Sequence, residues 1–583
     1  MVTVENRVAE LTRPSAEFPR NFLAEDLKLS GWGDVSLYYS DLENRKIESV
    51  EDLETWIADG SELSAFLSEE SSRRYIAMTC STDDEQAEKD YMMFVEQIAP
   101  HMKEAQDKLN RKLVASPFAE KLPPRYEVYL RSCRNAVELF REENIAIETE
   151  LDLLSQRYQK IFGSMTVEWQ GTEITIPRAL ALLEESDRSV REEAFRLVAA
   201  RRLKDRDELE EIFDEMLKKR HQIALNAGFK NYRDYKFREL ERFDYTPEDC
   251  AAYHKAVAEL VVPVSREATR LRKDALKVDS LRPWDLDCDP YGRAPLHPFG
   301  TAEELISKSS KIFHRLDSEL GEQFDKMNTL GLLDLSSRKG KAPGGYQSDL
   351  AELRLPFIFM NAVGTNDDVF TLLHEGGHAF HAFAVRDDSL HAYRHAPMEF
   401  SEVASMSMEL LAMTALDEFF DAADKARTIR TEMEGKIALL AWIATIDDFQ
   451  HWIYTHPTHT RTERRDYWRS LVEKYGVGAD HTGLEESRDY RWQAQLHLFE
   501  VPFYYIEYGI AQLGAFQVWS RSRKNAAEAL RDYKHGLALG GSRPLPKLFA
   551  AAGIKFDFSS EMIAPLMQEV REEMAKQAAL ESH

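Results

Sequence analysis

The run Thr371-Leu-Leu-His374-Glu375-Gly376-Gly377-His378-Ala-Phe-His381 contains the pattern HExxH. On a helix, residues four apart share one face, so the imidazoles of His374 and His378 can reach a single ion. Glu375, next to the first histidine, then lies near the remaining coordination position, where it can take a proton from water activated by the metal. This is the arrangement of a zinc metalloprotease, with one Zn2+ per chain.

Such a site needs a further protein ligand and an open position. His381 is seven residues from His374, about 10 Å along a straight helix axis, so His374, His378 and His381 cannot converge on one ion. His381 suits contact with substrate or with the outer side of the site. The HExxHxxGxxH pattern, which brings back a third histidine, is absent. Downstream, Met398–Met413 (MEFSEVASMSMELLAM) presents Glu399, Glu402 and Glu409 at spacings of three and seven, on one side of a second helix. The spacing does not choose among the three. Because the residues between them are largely Ala, Met, Val and Ser, a solvated acidic face fits poorly, and at least two of the carboxylates are expected to be buried near the metal.

The elements that must position these groups are also readable. Thr365 and Asp368 match a capping box, and Asn366, Asp367 and Asp368 suit the positive start of a helix. Gly376 and Gly377 oppose helix by about 1 kcal/mol each relative to alanine, and are read as permitting close approach by a neighbouring strand or the substrate. From Glu25 to about Leu281 the pattern is that of packed helices, and helical spacing returns over 367–383, 398–416, 437–454 and 503–519. Between Leu332 and Met360, two short apolar stretches with turn residues predict a small sheet. Gly344-Gly345-Tyr346 in this region either holds an extended peptide at the sheet edge or is a turn. Breaks at Leu122-Pro123-Pro124 and from Pro283 to Gly300 are candidate boundaries. The expected organisation is an N-terminal helical subdomain over 1–120 and a catalytic domain over 121–583, mainly α with one small β element.

DLSSRKGKAPGGY, PFIFMN, NDDVFTLLHEGGHAFH, EVASMSMELL and HLFEVPFYYIEYG together resemble the thimet oligopeptidase family of zinc metallopeptidases, nearer the oligoendopeptidase F branch. The resemblance runs from about Leu332 to Trp519 and more weakly over Gly540–Ile554. It implies His374 and His378 as zinc ligands, Glu402 as the third, Glu375 as general base and Glu409 behind the ligands. It also implies a helical ellipsoid with a deep substrate channel, a small sheet along one wall, and action on short unstructured peptides. Hydrolysis of an amide develops an oxyanion, and hydroxyl or imidazole donors stabilise it. Tyr504, Tyr505, Tyr508 and His497 are the candidates. If the chain is helical beyond Pro502, Tyr504 and Tyr508 share a stripe and Tyr505 and Tyr508 are neighbours; the resemblance favours Tyr508.

Composition narrows the field further. The 583 residues carry 75 basic and 101 acidic side chains, a net charge of −26, which argues against nucleic acid as a partner. The amino terminus lacks the apolar core of a secretory signal, and no apolar stretch approaches the ~20 residues of a membrane span. Four scattered cysteines, Cys80, Cys133, Cys250 and Cys288, without a CxxC pair fit a reducing cytoplasm, each as a small buried hydrophobe rather than a nucleophile. The function expected is zinc-dependent cleavage of internal bonds in short peptides. A zinc carboxypeptidase on a related scaffold and a non-catalytic peptide-binding protein are the alternatives.

Overall fold

The computed structural model describes residues 13–581 together with Val8 and Leu11. In chain order, the elements used below are α1 (Val50–Cys80), strands β1 (Thr166–Trp169) and β2 (Thr172–Thr175), and helices α2 (Pro247–Ala256) and α3 (Ala302–Leu316). Then come β3 (Leu333–Ser336), β4 (Tyr346–Leu350), β5 (Leu355–Ala362), α4 (Asn366–Val385), α5 (Met398–Ala412), α6 (Ala422–Thr455), α7 (Ile506–Lys524) and α8 (Ala526–Leu537). Further helices fill most of the remaining chain, so the fold is mainly α, as the periodicity predicts, with the small sheet where the apolar runs place it. Among the described residues no helix is long and apolar enough to cross a membrane.

The chain forms two compact units. One comprises residues 1–138, 297–425 and 514–556; the other comprises 139–296, 426–513 and 557–583. The passage at 296–297 falls inside the Pro- and Gly-containing segment from Pro283 to Gly300.

In the first unit, the amino-terminal helices bury Trp56, Phe66, Phe94 and Leu113 in one cluster with Leu390 and Tyr393, which follow α4. The Trp56 indole N–H donates to the Leu42 carbonyl over 2.8 Å, so its polar atom is satisfied inside this core. The sheet has the order β3-β5-β4, with β3 parallel and β4 antiparallel to β5. Residues Phe357 to Met360 of β5 are all buried, which is why this stretch reads as a continuous apolar run and not an alternating one. The loop of DLSSRKGKAPGGY is tied down by charge. Asp334 accepts a bidentate pair from Arg338 at 2.6 and 2.8 Å and a further bond from Lys341 at 3.0 Å. Lys341 also donates to the Met360 carbonyl over 2.5 Å and lies over the Phe359 ring.

The second unit contains an aromatic interior of Tyr158, Phe213, Trp492 and Phe499, with the Tyr158 hydroxyl donating to the Gln493 carbonyl. It also contains the β1–β2 hairpin, where the helical pattern of this half predicts no strand. Gln170 and Gly171 both have positive φ, as a two-residue hairpin turn requires. α2 runs on through a π-turn at Val257–Val261 into a helix over Val262–Leu276. Pro263, which has no N–H to donate, is accommodated just beyond that wide turn, so the helix continues where proline alone would suggest a stop.

Candidate functional site

α4 begins as its sequence dictates. The Thr365 hydroxyl accepts the Asp368 N–H at 3.3 Å, and the Asp368 carboxylate accepts the N–H groups of Val363, Gly364 and Thr365 at 2.9, 2.9 and 2.8 Å. The predicted capping box is therefore present, and it fixes the rotation of the helix that carries His374, Glu375 and His378.

The two glycines of HEGGH serve a different neighbour from the strand or substrate expected. A Cβ on Gly377 would stand 2.6 Å from the Cα of Ser405 and 2.7 Å from the carbonyl oxygen of Ala404, both backbone atoms of α5. A Cβ on Gly376 would stand 2.9 Å from the Phe313 ring of α3. Gly377 thus lets α5 come into backbone contact with α4, and that contact brings the carboxylates of α5 to the histidines.

Glu399, Glu402 and Glu409 are all buried. Glu402 Oε2 lies 3.4 Å from His374 Nε2 and 3.6 Å from His378 Nε2, and accepts a hydrogen bond from the Ser405 hydroxyl at 2.9 Å. One donor atom from each of His374, His378 and Glu402 falls within 4.8 Å of the others. Glu409 approaches from behind, its Oε1 2.7 Å from His374 Nδ1. With Nδ1–H donating to that carboxylate, the lone pair of Nε2 points toward Glu402 and His378. Glu399 lies in the first turn of the same helix.

The electrostatics suit a cation among these atoms. Burial works against charge on His374, but its hydrogen bonds to Glu402 and Glu409 outweigh burial and raise it well above the usual histidine range. The pocket therefore attracts positive charge. Burial lowers His378 to about 4, leaving a neutral imidazole able to ligate. Burial would raise Glu402, yet the hydrogen bond from His374 and the nearby His378 hold it below the usual carboxylate range. Two imidazoles, with His374 giving up its proton to an incoming ion, and an ionised carboxylate form a donor set that fits zinc. Glu375 is pushed up to about 7, mainly by burial, with Glu402 adding to the rise while His374 and a hydrogen bond with the Gln347 backbone oppose it.

That bond brings the edge strand of the sheet beside Glu375. Gly344, with φ of +96°, turns the chain into β4, and the Asn361 side chain donates to the carbonyls of Ala342 and Gly344 at 2.8 and 2.9 Å. Gly345 lies against Thr371 of α4. Tyr346 stacks on Phe359 and its hydroxyl is 2.6 Å from that of Thr79 in α1. His381 is buried, edge-on to Phe400, with its Nε2 free of hydrogen bonds; burial lowers it to about 3.

His497, Tyr504, Tyr505 and Tyr508 belong to the second unit, where they form a cluster of their own. The His497 ring lies 6.0, 4.7 and 6.2 Å from those of Tyr504, Tyr505 and Tyr508, and its Nδ1 is 2.7 Å from the Gln495 amide nitrogen. The helix expected from Phe503 starts only at Ile506, because Phe503 has φ of +68° and residues 502–505 form a turn. Tyr504 still meets Tyr508, with ring centroids 5.3 Å apart, and Tyr505 meets it at 5.7 Å, but both partners come from the turn and not from a helical stripe.

The chain is similar to several known peptidases. A 387-residue stretch is 22% identical to the group B oligopeptidase PepB of Streptococcus agalactiae, covering 66% of this chain and 63% of that protein. The chain thus spans just under two thirds of that relative's length. An oligoendopeptidase F homolog of Borreliella burgdorferi is 23% identical over 442 residues, 71% of each chain. The solved structure of PZ peptidase A with inhibitor 2 superposes with a TM-score of 0.88 at 28% identity, covering 95% of this chain and 99% of that one. The oligoendopeptidase F branch anticipated from the motifs is represented among these relatives. A model of the peptidase M3 N-terminal domain matches residues 37–140, and that of peptidase family M3 matches residues 181–567, which include both α4 and α5. By that match, over well more than half its length, the chain belongs to peptidase family M3.

Proposed function

We propose that this protein is a zinc-dependent oligoendopeptidase that hydrolyses internal bonds of short, unstructured peptides. The observation that carries the reading is the convergence of His374 Nε2, His378 Nε2 and a Glu402 oxygen, with Glu375 next to them in sequence and Glu409 orienting His374. His374, His378 and Glu402 would hold the ion. Bound there, zinc would supply Lewis acidity, acidifying water and polarising the scissile carbonyl.

The chain's own groups do the rest. Glu375, with its affinity for protons raised by burial to about 7, takes a proton from the attacking water at its carboxylate and returns it to the leaving amine. Glu409 keeps the proton of His374 on Nδ1. The outer edge of β4, reached through Gly344 and Gly345, offers main-chain groups to an extended peptide. For the oxyanion, the hydroxyls of Tyr504, Tyr505 and Tyr508 and the imidazole of His497 have the required chemistry, and the family resemblance favours Tyr508.

The test is Glu375→Gln, which should bind zinc as the wild type does and lose peptide hydrolysis by about 10²–10⁴-fold. Turnover comparable to the wild type would remove Glu375 from its role. Mass analysis of wild-type digests separates internal cleavage from release of single terminal residues.

A further inference from the structure

The second unit holds another set of ligand-type side chains, which includes the buried Cys250. α2 carries Cys250 and His254, and α6 carries Asp447 and His451, each pair four residues apart and so on one helix face. One donor atom from each of Cys250, Asp447 and His451 lies within 4.8 Å of the others. Cys250 and Asp447 are wholly buried, and the rings of Phe237 and Phe503 stand edge-on to His451. Asp447 divides its oxygens unequally. Oδ2 is 2.8 Å from His254 Nε2 and 3.3 Å from His451 Nε2, while Oδ1 is buried with no hydrogen bond. His451 Nε2 is likewise buried with no hydrogen bond of acceptable geometry.

Buried polar atoms in folded proteins are paired as a rule, yet Asp447 Oδ1 has no partner and His451 Nε2 has only the 3.3 Å contact with Oδ2, so the cluster asks for one. We propose that Cys250, Asp447 and His451 form a second metal site for a divalent transition ion of zinc's class, with His254 holding Asp447 in place. A thiol, an imidazole and a carboxylate are a borderline-soft set, suited to zinc or cobalt(II) and not to calcium or magnesium. An ion pair between Asp447 and its two histidines accounts for Oδ2 alone; it leaves Oδ1 unused and gives Cys250 no part. Coordination uses all three groups, the thiol releasing its proton to solvent. Because the ligands come from α2 and α6, the ion staples two helices that are far apart in sequence, a structural role distinct from hydrolysis at His374 and His378.

The sulfur makes the site distinguishable, because the His374, His378 and Glu402 set contains none. The full-length protein is stripped with chelator, loaded with cobalt(II) chloride and followed in the near ultraviolet for thiolate-to-cobalt charge transfer. The band should appear in the wild type and in His374→Ala/His378→Ala, and be lost in Cys250→Ser. Absence of the band from the folded wild type, or its persistence in Cys250→Ser, overturns the proposal. Should Cys250→Ser fail to fold, zinc analysis of His374→Ala/His378→Ala decides. About one equivalent per chain supports the second site, and none overturns it.

Discussion

His374 Nδ1 and Glu409 Oε1 lie 2.7 Å apart, joining α4 to α5 through a hydrogen bond behind the candidate ligand set. A ligating histidine whose far nitrogen is fixed in this way presents its other nitrogen in one tautomer and one direction. Glu409→Ala is therefore expected to weaken zinc binding by about 10–100-fold without changing the ligands themselves. Competition against a chelator of known affinity measures this. Unchanged affinity would show that the 2.7 Å contact does not orient the ligand.

The close approach of α4 and α5 predicts unequal costs for two alanine substitutions. At Gly377 the new methyl meets backbone of α5 at 2.6 Å, which cannot yield without moving a helix. At Gly376 it meets the Phe313 ring at 2.9 Å, and a ring can tilt. Gly377→Ala should destabilise by about 1–3 kcal/mol and lower zinc affinity, while Gly376→Ala costs less. Urea unfolding ranks the two, and the reverse order would contradict the packing argument.

Much of this was legible because it is local. HExxH, the capping box of Thr365 and Asp368, and the acidic residues of α5 in an apolar setting are patterns within a few turns of one helix, where periodicity carries direction. The purpose of Gly377 was not legible, since only the fold reveals that its neighbour is Ser405. The β1–β2 hairpin is less legible: Trp169-Gln170-Gly171-Thr172 carries a turn signal, but helical spacing on both sides masks it. The late start of α7 depends on the left-handed backbone of Phe503, which Pro502 only hints at. Cys250-x-x-x-His254 and Asp447-x-x-x-His451 each have ligand spacing, but their meeting is a tertiary fact.

The Asp334 cluster predicts a pH-dependent stability. Burial would raise this carboxyl, but Arg338 and Lys341 hold it below the usual aspartate value of 3.8. A carboxylate depressed in the folded state stabilises above the unfolded value, and that contribution fades as pH falls through the folded one. Asp334→Asn should thus cost about 3–5 kcal/mol near neutrality, because it leaves the fully buried Lys341 ammonium without its counter-ion. The gap from wild type should narrow below pH 3.8, where protonation of the wild-type carboxyl begins to remove the same interaction. Parallel denaturant titrations at neutral and acidic pH give both numbers; a gap that widens in acid would reverse the sign argued here.

Removal of one proposed ligand should separate metal binding from folding. Glu402→Gln keeps the size and the Ser405 contact but removes the charge that His374 and His378 face. Zinc affinity should fall steeply and peptide hydrolysis with it, while the metal-free protein stays folded at a lower thermal midpoint, because His374 loses the depressed carboxylate it pairs with. Metal analysis and calorimetry on the same preparation test this, and full zinc occupancy in the variant would exclude Glu402 as a ligand.

The most direct measurement is a cleavage map of a mixed peptide pool, read by mass spectrometry, with the protein as purified, after chelation, and after zinc is restored. The account predicts internal fragments in the first and third reactions and none in the second. Fragments that persist undiminished after complete removal of the metal, or no cleavage of any peptide when His374, His378 and Glu402 are fully loaded with zinc, would contradict it.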